Sequence, residues 1–370
     1  MKRNLVVAIA VALVSLLLFW GPFLFKIKHF WGIAFNNNDM STVVQNFDGL
    51  NFLVVAKSLY NPQVIDEINA HFLTGNEPIY FAAHYPLYPI LIRIFSAAAP
   101  LPTALLLSIV FSNMLLAGGL YCFFAMMLKS PKLAVILSVI SLFLPARMLS
   151  ARVVGSNEPL FIFFVLTSLV ASLKHKDWLS GVLGALAVLT RSPGILLFGA
   201  YALAYFRTPS RLLPYLLMPA ALLGLFGFYG YRYGSPLAYF QSGDNLHLFF
   251  QPFQIFSNTQ SWITDIWRED IIYLYLFYGI GVSLIARKFG VIKLFGYTYG
   301  AVLLFVAHRD LARYALPLAP VALLGYGPLI AKIPSKFYYL FLIVLLPIFL
   351  LGWQFVLGNV QPINNWGVFL

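Results

Sequence analysis

Charge is what this sequence has least of. Only 10% of its 370 residues are Asp, Glu, Lys or Arg, against about 25% in a soluble domain. That scarcity excludes an ordinary water-facing surface over most of the chain. Carboxylates are scarcer than cations, 12 against 24. The one cysteine, Cys122, lies inside an apolar run, so an intrachain disulfide and a Cys-based metal cage are both excluded. The sequence has no Asp-x-Asp, no Gly-rich P-loop, no GxGxxG and no HExxH. The 6 histidines are scattered without metal-ligand spacing. No cofactor is expected, and no metal.

What is present is apolar. Hydrophobic residues make up 61% of the chain, in runs at approximately 5–25, 103–128, 133–146, 159–173, 178–190, 193–206, 212–231, 271–286, 294–307, 314–331 and 337–357. A membrane-spanning helix needs about 20 apolar residues. The runs therefore predict an all-α, polytopic transmembrane helix bundle of about eleven spans, in a single domain over 1–370. No soluble domain of ordinary size fits between them. Lys2 and Arg3 precede the first run as in a signal peptide. That run is longer than a signal's apolar core and no small-x-small site follows, so it is read as an uncleaved first span. The segment 86–99 is short and holds Arg93; it is read as interfacial or re-entrant.

The balance of +12 points to lipid headgroups and cytoplasmic loops rather than to nucleic acid. With the N-terminus inside, over half of the basic residues fall in short inner loops, as the positive-inside rule requires. Of the carboxylates only Asp177 falls inside; Asp39, Asp48, Glu158, Asp244, Asp310 and the rest fall outside. Carboxylate chemistry is thus expected on the non-cytoplasmic face. Two outer loops are long, 26–102 and 232–270. Phe52, Val55, Ala56 and Leu59 in the first, and Trp262, Ile263, Ile266 and Trp267 in the second, stand at helical spacing. Both stretches are read as interfacial helices.

Four groups of residues carry chemistry. Asp48, in Asn46-Phe47-Asp48-Gly49-Leu50-Asn51-Phe52, is either a helix N-cap or a general base for an alcohol. His84, Tyr85 and Tyr88, in Ala83-His84-Tyr85-Pro86-Leu87-Tyr88-Pro89, either pack at the interface or line a slot for an isoprenoid or sugar. Glu158, in Ser156-Asn157-Glu158-Pro159, suits the positive end of a helix that opens at Pro159. Arg147 and Arg152 precede it in the same stretch; the fourth group is the arginines at outer helix ends, Arg191, Arg309 and Arg313. They either snorkel to headgroups or grip an anion. Arg191 sits in a very short break between apolar runs, where an arginine wants a carboxylate or a phosphate. Asp310 is expected to pair with a neighbouring arginine.

In order and loop placement these motifs resemble those of the PIG-V-like mannosyltransferases, within the GT-C superfamily of membrane glycosyltransferases. The resemblance rests on Asp48 to Tyr60, Tyr85-Pro86-Leu87-Tyr88-Pro89, Ser156-x-Glu158-Pro159-Leu160-Phe161, Leu189-Thr190-Arg191-Ser192-Pro193-Gly194 and Arg313-Tyr314-x-Leu316-Pro317. It covers most of the chain. Phe47 stands where the family usually has Trp, and Leu59 where it usually has Gly. The resemblance implies a GT-C fold and inverting transfer of a hexose, typically mannose, from a polyprenyl-phosphate donor on the non-cytoplasmic face. Asp48 matches the position expected to be the catalytic base. Arg191 and Arg313 are the first candidates for the donor phosphate, with Arg152 and Arg309 behind them. His84, Tyr85, Tyr88, Glu158 and Asn51 are candidates for the substrate pocket. The partners expected are the lipid-phosphate sugar and membrane lipids; the acceptor is a lipid, glycan or protein that the resemblance does not identify. The membrane would be the plasma membrane in a prokaryote and the endoplasmic reticulum in a eukaryote. A GT-C transferase for another sugar is the alternative within the same class. A transporter or lipid flippase is the alternative outside it. That last reading predicts symmetric halves, broken helices and midplane charges; an odd helix count, no repeat and one-sided carboxylates argue against it.

Overall fold

A computed structural model describes residues 2–36, 38–46, 48–72, 75–243, 247–257 and 264–370. The described chain is mainly helical; among the described residues its one sheet is the two-stranded pair His29–Phe30 and Ile33–Ala34. Each of the eleven apolar runs falls on a helix. That is the outcome expected where no water is at hand to pair backbone groups and each segment must satisfy its own.

Length separates the helices. Among the described residues, Lys2–Leu24, Leu101–Met127, Pro209–Tyr233 and Lys336–Leu357 are each long and apolar enough to cross a membrane. Trp267–Ser283 and Arg287–Leu303 reach that length only together, bent by 107° at their break. Pro131–Phe143, Glu158–Leu173, Asp177–Thr190, Ser192–Tyr205 and Leu318–Ile330 are shorter. At 1.5 Å per residue, a 13-residue helix covers about 20 Å of a hydrocarbon core about 30 Å thick. None of these five helices is long enough to cross that core by itself; each packs against its neighbours. Polar stitches join them: Ser168 and Ser180 meet the Tyr201 hydroxyl, and Ser172 meets those of Tyr205 and Tyr215. Small polar side chains of this kind tie helices together in lipid.

Arg152 belongs to this internal framework, not to a phosphate site. It is wholly buried. Its guanidinium donates to the Leu142 carbonyl at 2.9 Å, the Asn113 side chain at 3.0 Å and the Ser15 hydroxyl at 2.7 Å. It braces three helices, and its donors are occupied by the protein.

The first long loop also differs from expectation. Gly49–Ser58 is a helix, but Leu50, Leu53 and Val54 are as buried as Phe52, Val55 and Ala56. It is packed into protein over most of its surface, with Lys57 the one exposed residue, rather than lying in an interface. Leu59 falls outside it, as the left-handed C-cap. The second helix of the loop, Pro62–Asn69, is the amphipathic one, with Ile65 and Ile68 buried. The short segment at 86–99 opens as the helix Leu87–Phe95; its Arg93 donates to the Ala56 and Lys57 carbonyls at 2.9 and 3.3 Å. It thereby closes the C-terminal end of Gly49–Ser58, where a cation is favoured. Of the amphipathic stretch at 262–267, Trp262, Ile263 and the side chain of Ile266 lie outside the described residues, as do Asp244 and Phe47.

Two close approaches fix the segment that carries Asp48. On one side Gly155 meets Gly49 so tightly that a Cβ on Gly155 would stand 2.7 Å from the Gly49 Cα and 3.1 Å from a Leu105 methyl. On the other the C-terminal segment laces the loop from behind. Gln361 N–H donates to the Gln45 carbonyl at 2.9 Å, Asn364 N–H to that of His71 at 3.0 Å, and the Asn46 side chain to that of Val356 at 2.7 Å. Gly155→Ala forces backbone apart at this contact and should cost about 1–3 kcal/mol. Thermal unfolding of the purified protein in detergent should show a lowered midpoint; an unchanged one would mean that the contact does not set the loop.

Candidate active site

Asp48 immediately precedes the first turn of Gly49–Ser58, yet its side chain makes no cap hydrogen bond. The capping reading therefore fails. Its carboxylate turns away from the helix and accepts from Arg313 Nη2 at 2.5 Å. His84 Nε2 stands 3.9 Å from the other oxygen. Burial opposes charge on Asp48, but Arg313 and His84 outweigh it and hold the carboxyl well below the usual carboxylate range. With a lowered native value, its contribution to stability is present above about pH 4 and lost only as pH falls through that lower value.

Arg313 reaches further. Its Nε donates to Glu158 Oε1 at 2.5 Å, and the same oxygen accepts from Arg191 Nη1. The other Glu158 oxygen accepts from the Ser156 hydroxyl. Glu158 is the first residue of Glu158–Leu173 and is 1% exposed. Its charge faces the positive end of that helix as well as two guanidiniums. Asn157 makes no side-chain cap either; it donates to the Thr190 carbonyl at 2.9 Å and accepts from Arg191 at 3.3 Å. The break at Arg191 thus has its anion, and it is a carboxylate of the protein.

This chain of charges opens onto a cavity of about 670 Å³. Asp48, Arg191, Arg313, His84 and Arg309 line it, as do Phe52, Tyr80, Ser192, Tyr239 and Tyr314. Arg191 lies over the Tyr314 ring at 5.6 Å. Asp310 also lines the cavity but pairs with Arg147, donor Nε to Oδ1 at 2.8 Å, rather than with an adjacent arginine. Arg147 in turn stacks on Phe355 at 3.4 Å. Arg309 is exposed, and no ion pair engages it among the described residues. Four arginines, Arg147, Arg191, Arg309 and Arg313, meet three carboxylates, Asp48, Glu158 and Asp310. The cluster therefore carries one surplus positive charge, and Arg309 presents it.

The remaining expected residues stand one layer back. Tyr85 packs edge-on to Tyr239 at 5.5 Å and Tyr88 edge-on to Phe52 at 5.0 Å. They support the wall without lining the cavity. Asn51 is buried in Gly49–Ser58 and does not reach the cavity lining. The His84 carbonyl accepts from the buried Tyr60 hydroxyl at 2.6 Å, which holds the His84 turn in place.

Two lining residues carry no signal in the sequence as a pair. His247 and His308 approach with ring centroids 4.1 Å apart. His308 accepts the Asp310 N–H at Nδ1, 3.0 Å. Burial, and then the His247 ring, push His308 down to about 4. The two come together because 247–249 runs antiparallel beside 305–307, with Ala307 N–H donating to the His247 carbonyl at 3.0 Å and Phe249 N–H to that of Phe305 at 2.8 Å. Among the described residues no group of three or more His, Cys, Asp or Glu is gathered to hold a metal ion.

No protein-family model matches the chain, and no curated protein matches it.

Glu158 is shared by two buried guanidiniums, so Glu158→Gln leaves both short of a partner. It should destabilise the protein by about 3–5 kcal/mol. Adding Arg191→Gln should recover part of that loss, because the pair is coupled. Thermal unfolding of the two single variants and the double one measures this; strictly additive losses would show that the two groups act independently.

Proposed function

We propose that this protein is a membrane glycosyltransferase that moves a hexose, mannose first among the candidates, from a polyprenyl-phosphate donor to an acceptor hydroxyl. One observation carries the reading: a carboxylate released from its capping role and a surplus of arginine charge face the same cavity. Asp48, Arg191 and Arg313 come from segments in which the sequence resembles PIG-V-like transferases of the GT-C type; Arg309 lies four residues before the last of these. Leu59 adds support. Its φ of 47° is left-handed, a conformation that glycine adopts without strain, and the resembled family has Gly at this position.

The chemistry follows from the charges. A single in-line displacement at the sugar needs one base, not the carboxylate pair of a retaining enzyme. Asp48 takes the proton of the acceptor hydroxyl as its oxygen bonds to the anomeric carbon and the phosphate leaves with the electrons of the broken bond. The ion pair with Arg313 keeps Asp48 ionised but makes it a weak base. A phosphate drawing on Arg313 would loosen that pair and strengthen the base when the donor arrives. Arg309 supplies the cation that meets the phosphate first. Arg191 and Arg313, partly neutralised by Glu158, flank it and stabilise charge as it develops on the leaving group. No step requires a metal.

The reading extends to topology. Eleven spans, with the N-terminus cytoplasmic, put the cavity on the non-cytoplasmic side and in reach of a lipid-linked donor. Reporter fusions at residues 45 and 175 should then report opposite sides of the membrane; the same side for both would overturn this orientation.

Asp48→Asn retains the shape of the side chain and removes the proton acceptor. It should leave a folded protein that binds donor and turns over at least ~100-fold more slowly. Arg309→Gln should weaken donor binding, by loss of a charged contact of about 1.5–3 kcal/mol. Sugar transfer and donor binding by the purified variants check both. Near wild-type turnover in Asp48→Asn would refute the base, and unaltered donor affinity in Arg309→Gln would refute the phosphate contact.

A further inference from the structure

One wall of the cavity has an outer surface that the described chain leaves uncovered. Residues 248–253 read Leu-Phe-Phe-Gln-Pro-Phe. Phe250 is 99% exposed, Leu248 62%, and Phe249 and Phe253 are nearly half exposed. A water-facing loop rarely gathers so much apolar side chain.

The segment is held by its backbone. Leu248 pairs antiparallel with Val306. Phe249 N–H donates to the Phe305 carbonyl at 2.8 Å, and Phe253 N–H to that of Leu304 at 2.6 Å. Gln254 donates to the Gln251 side chain across the turn at 2.7 Å. Phe253 takes a left-handed φ of 63°, a conformation that costs a phenylalanine energy and is kept where surrounding contacts enforce it. Alternation along the extended stretch divides its side chains. His247 and Phe249 line the cavity, whereas Leu248 and Phe250 are the more exposed.

Position decides what covers this surface. The strip to which it pairs, 304–306, follows directly on the apolar helix Gly290–Leu303. Phe253 meets Tyr275 of the preceding apolar helix, Asp265–Ser283, with ring centroids 6.3 Å apart. That helix leaves Ile272, Tyr273, Leu276, Phe277 and Ile280 exposed. The apolar surface of the segment therefore continues the exposed apolar face of the bent helix pair, beside the strip 304–306 that leads from that pair to Ala307 in the cavity wall. Aromatic side chains are favoured at such a boundary.

We infer that residues 248–253 form a wedge seated in the bilayer boundary, with Phe250 foremost, and that this wedge holds the cavity mouth against the lipid headgroups. Resting on the proposed transferase reading, the wedge is the entry for the donor: its phosphate reaches Arg309 while its polyprenyl chain stays in the membrane.

The test uses the full chain in nanodiscs of phosphatidylcholine and phosphatidylglycerol. An environment-sensitive fluorophore is placed at Phe250→Cys in a Cys122→Ser background, with Glu67→Cys as the water-exposed reference. Position 250 should be quenched by lipids spin-labelled near the headgroup and shielded from iodide, and position 67 the reverse. Equal iodide access at both positions would overturn the wedge. Shielding from iodide without quenching by lipid would overturn it too, and would indicate a protein, such as a second copy of the chain, on this surface. For entry, Phe250→Asp should raise KM for a long-chain polyprenyl-phosphate sugar by about tenfold, with kcat and the use of a water-soluble short-chain donor unchanged. An equal effect on both donors would overturn the entry role. If the wild-type protein consumes neither donor, the transferase reading and the entry role fail together, and the quenching result still decides the wedge.

Discussion

The site depends on one buried carboxylate. Glu158 is almost inaccessible and is gripped by Arg191 from one break in the bundle and by Arg313 from another. Through Arg313 the charge passes on to Asp48 in the first long loop. Four segments far apart in the chain are held together by opposite charges that water cannot replace. Burying such charges is costly, and their mutual attraction offsets the cost only when each is paired and hydrogen-bonded. Here each is: Ser156, Asn157 and the start of a helix complete the set around Glu158 and Arg191.

The same pairing decides which groups remain for a ligand. An arginine engaged with a carboxylate has spent much of its field. Arg191 and Arg313 therefore shape the cavity, and Arg309 supplies its net charge. Asp48 stays ionised because Arg313 is beside it, which also restrains it as a base. An incoming phosphate would compete for that guanidinium. Under the proposed transferase function, donor binding and base strength are linked through that one side chain.

Much of the architecture was legible because lipid imposes simple rules. Apolar runs become helices, and all eleven did so. Length was less legible, since protein packing shelters helices too short to span alone. The helix Gly49–Ser58 was misread for a related reason. Phe52, Val55 and Ala56 do share a face, but Leu50, Leu53 and Val54 are buried as well, and the spacing of one face does not reveal the others. Arg191 was legible as an arginine in want of an anion; that the anion is Glu158 depends on three-dimensional closure. Arg152 was misassigned because its partners, Ser15 and Asn113, lie within apolar runs far away in the sequence, and nothing local marks them as its acceptors. The His247–His308 contact arises from an antiparallel pairing of loop with loop and has no local signal.

The central claim is that the cavity between Asp48 and Arg309 accepts a sugar carried on a lipid phosphate and gives that sugar to a hydroxyl. The most direct measurement is incubation of the purified wild-type protein in nanodiscs with polyprenyl-phosphate mannose and a mixture of membrane lipid and peptide acceptors, followed by mass spectrometry of both donor and acceptor fractions. The account predicts release of free polyprenyl phosphate together with an acceptor heavier by one hexose. An intact donor after prolonged incubation, with mannose and with other polyprenyl-linked sugars alike, would contradict it.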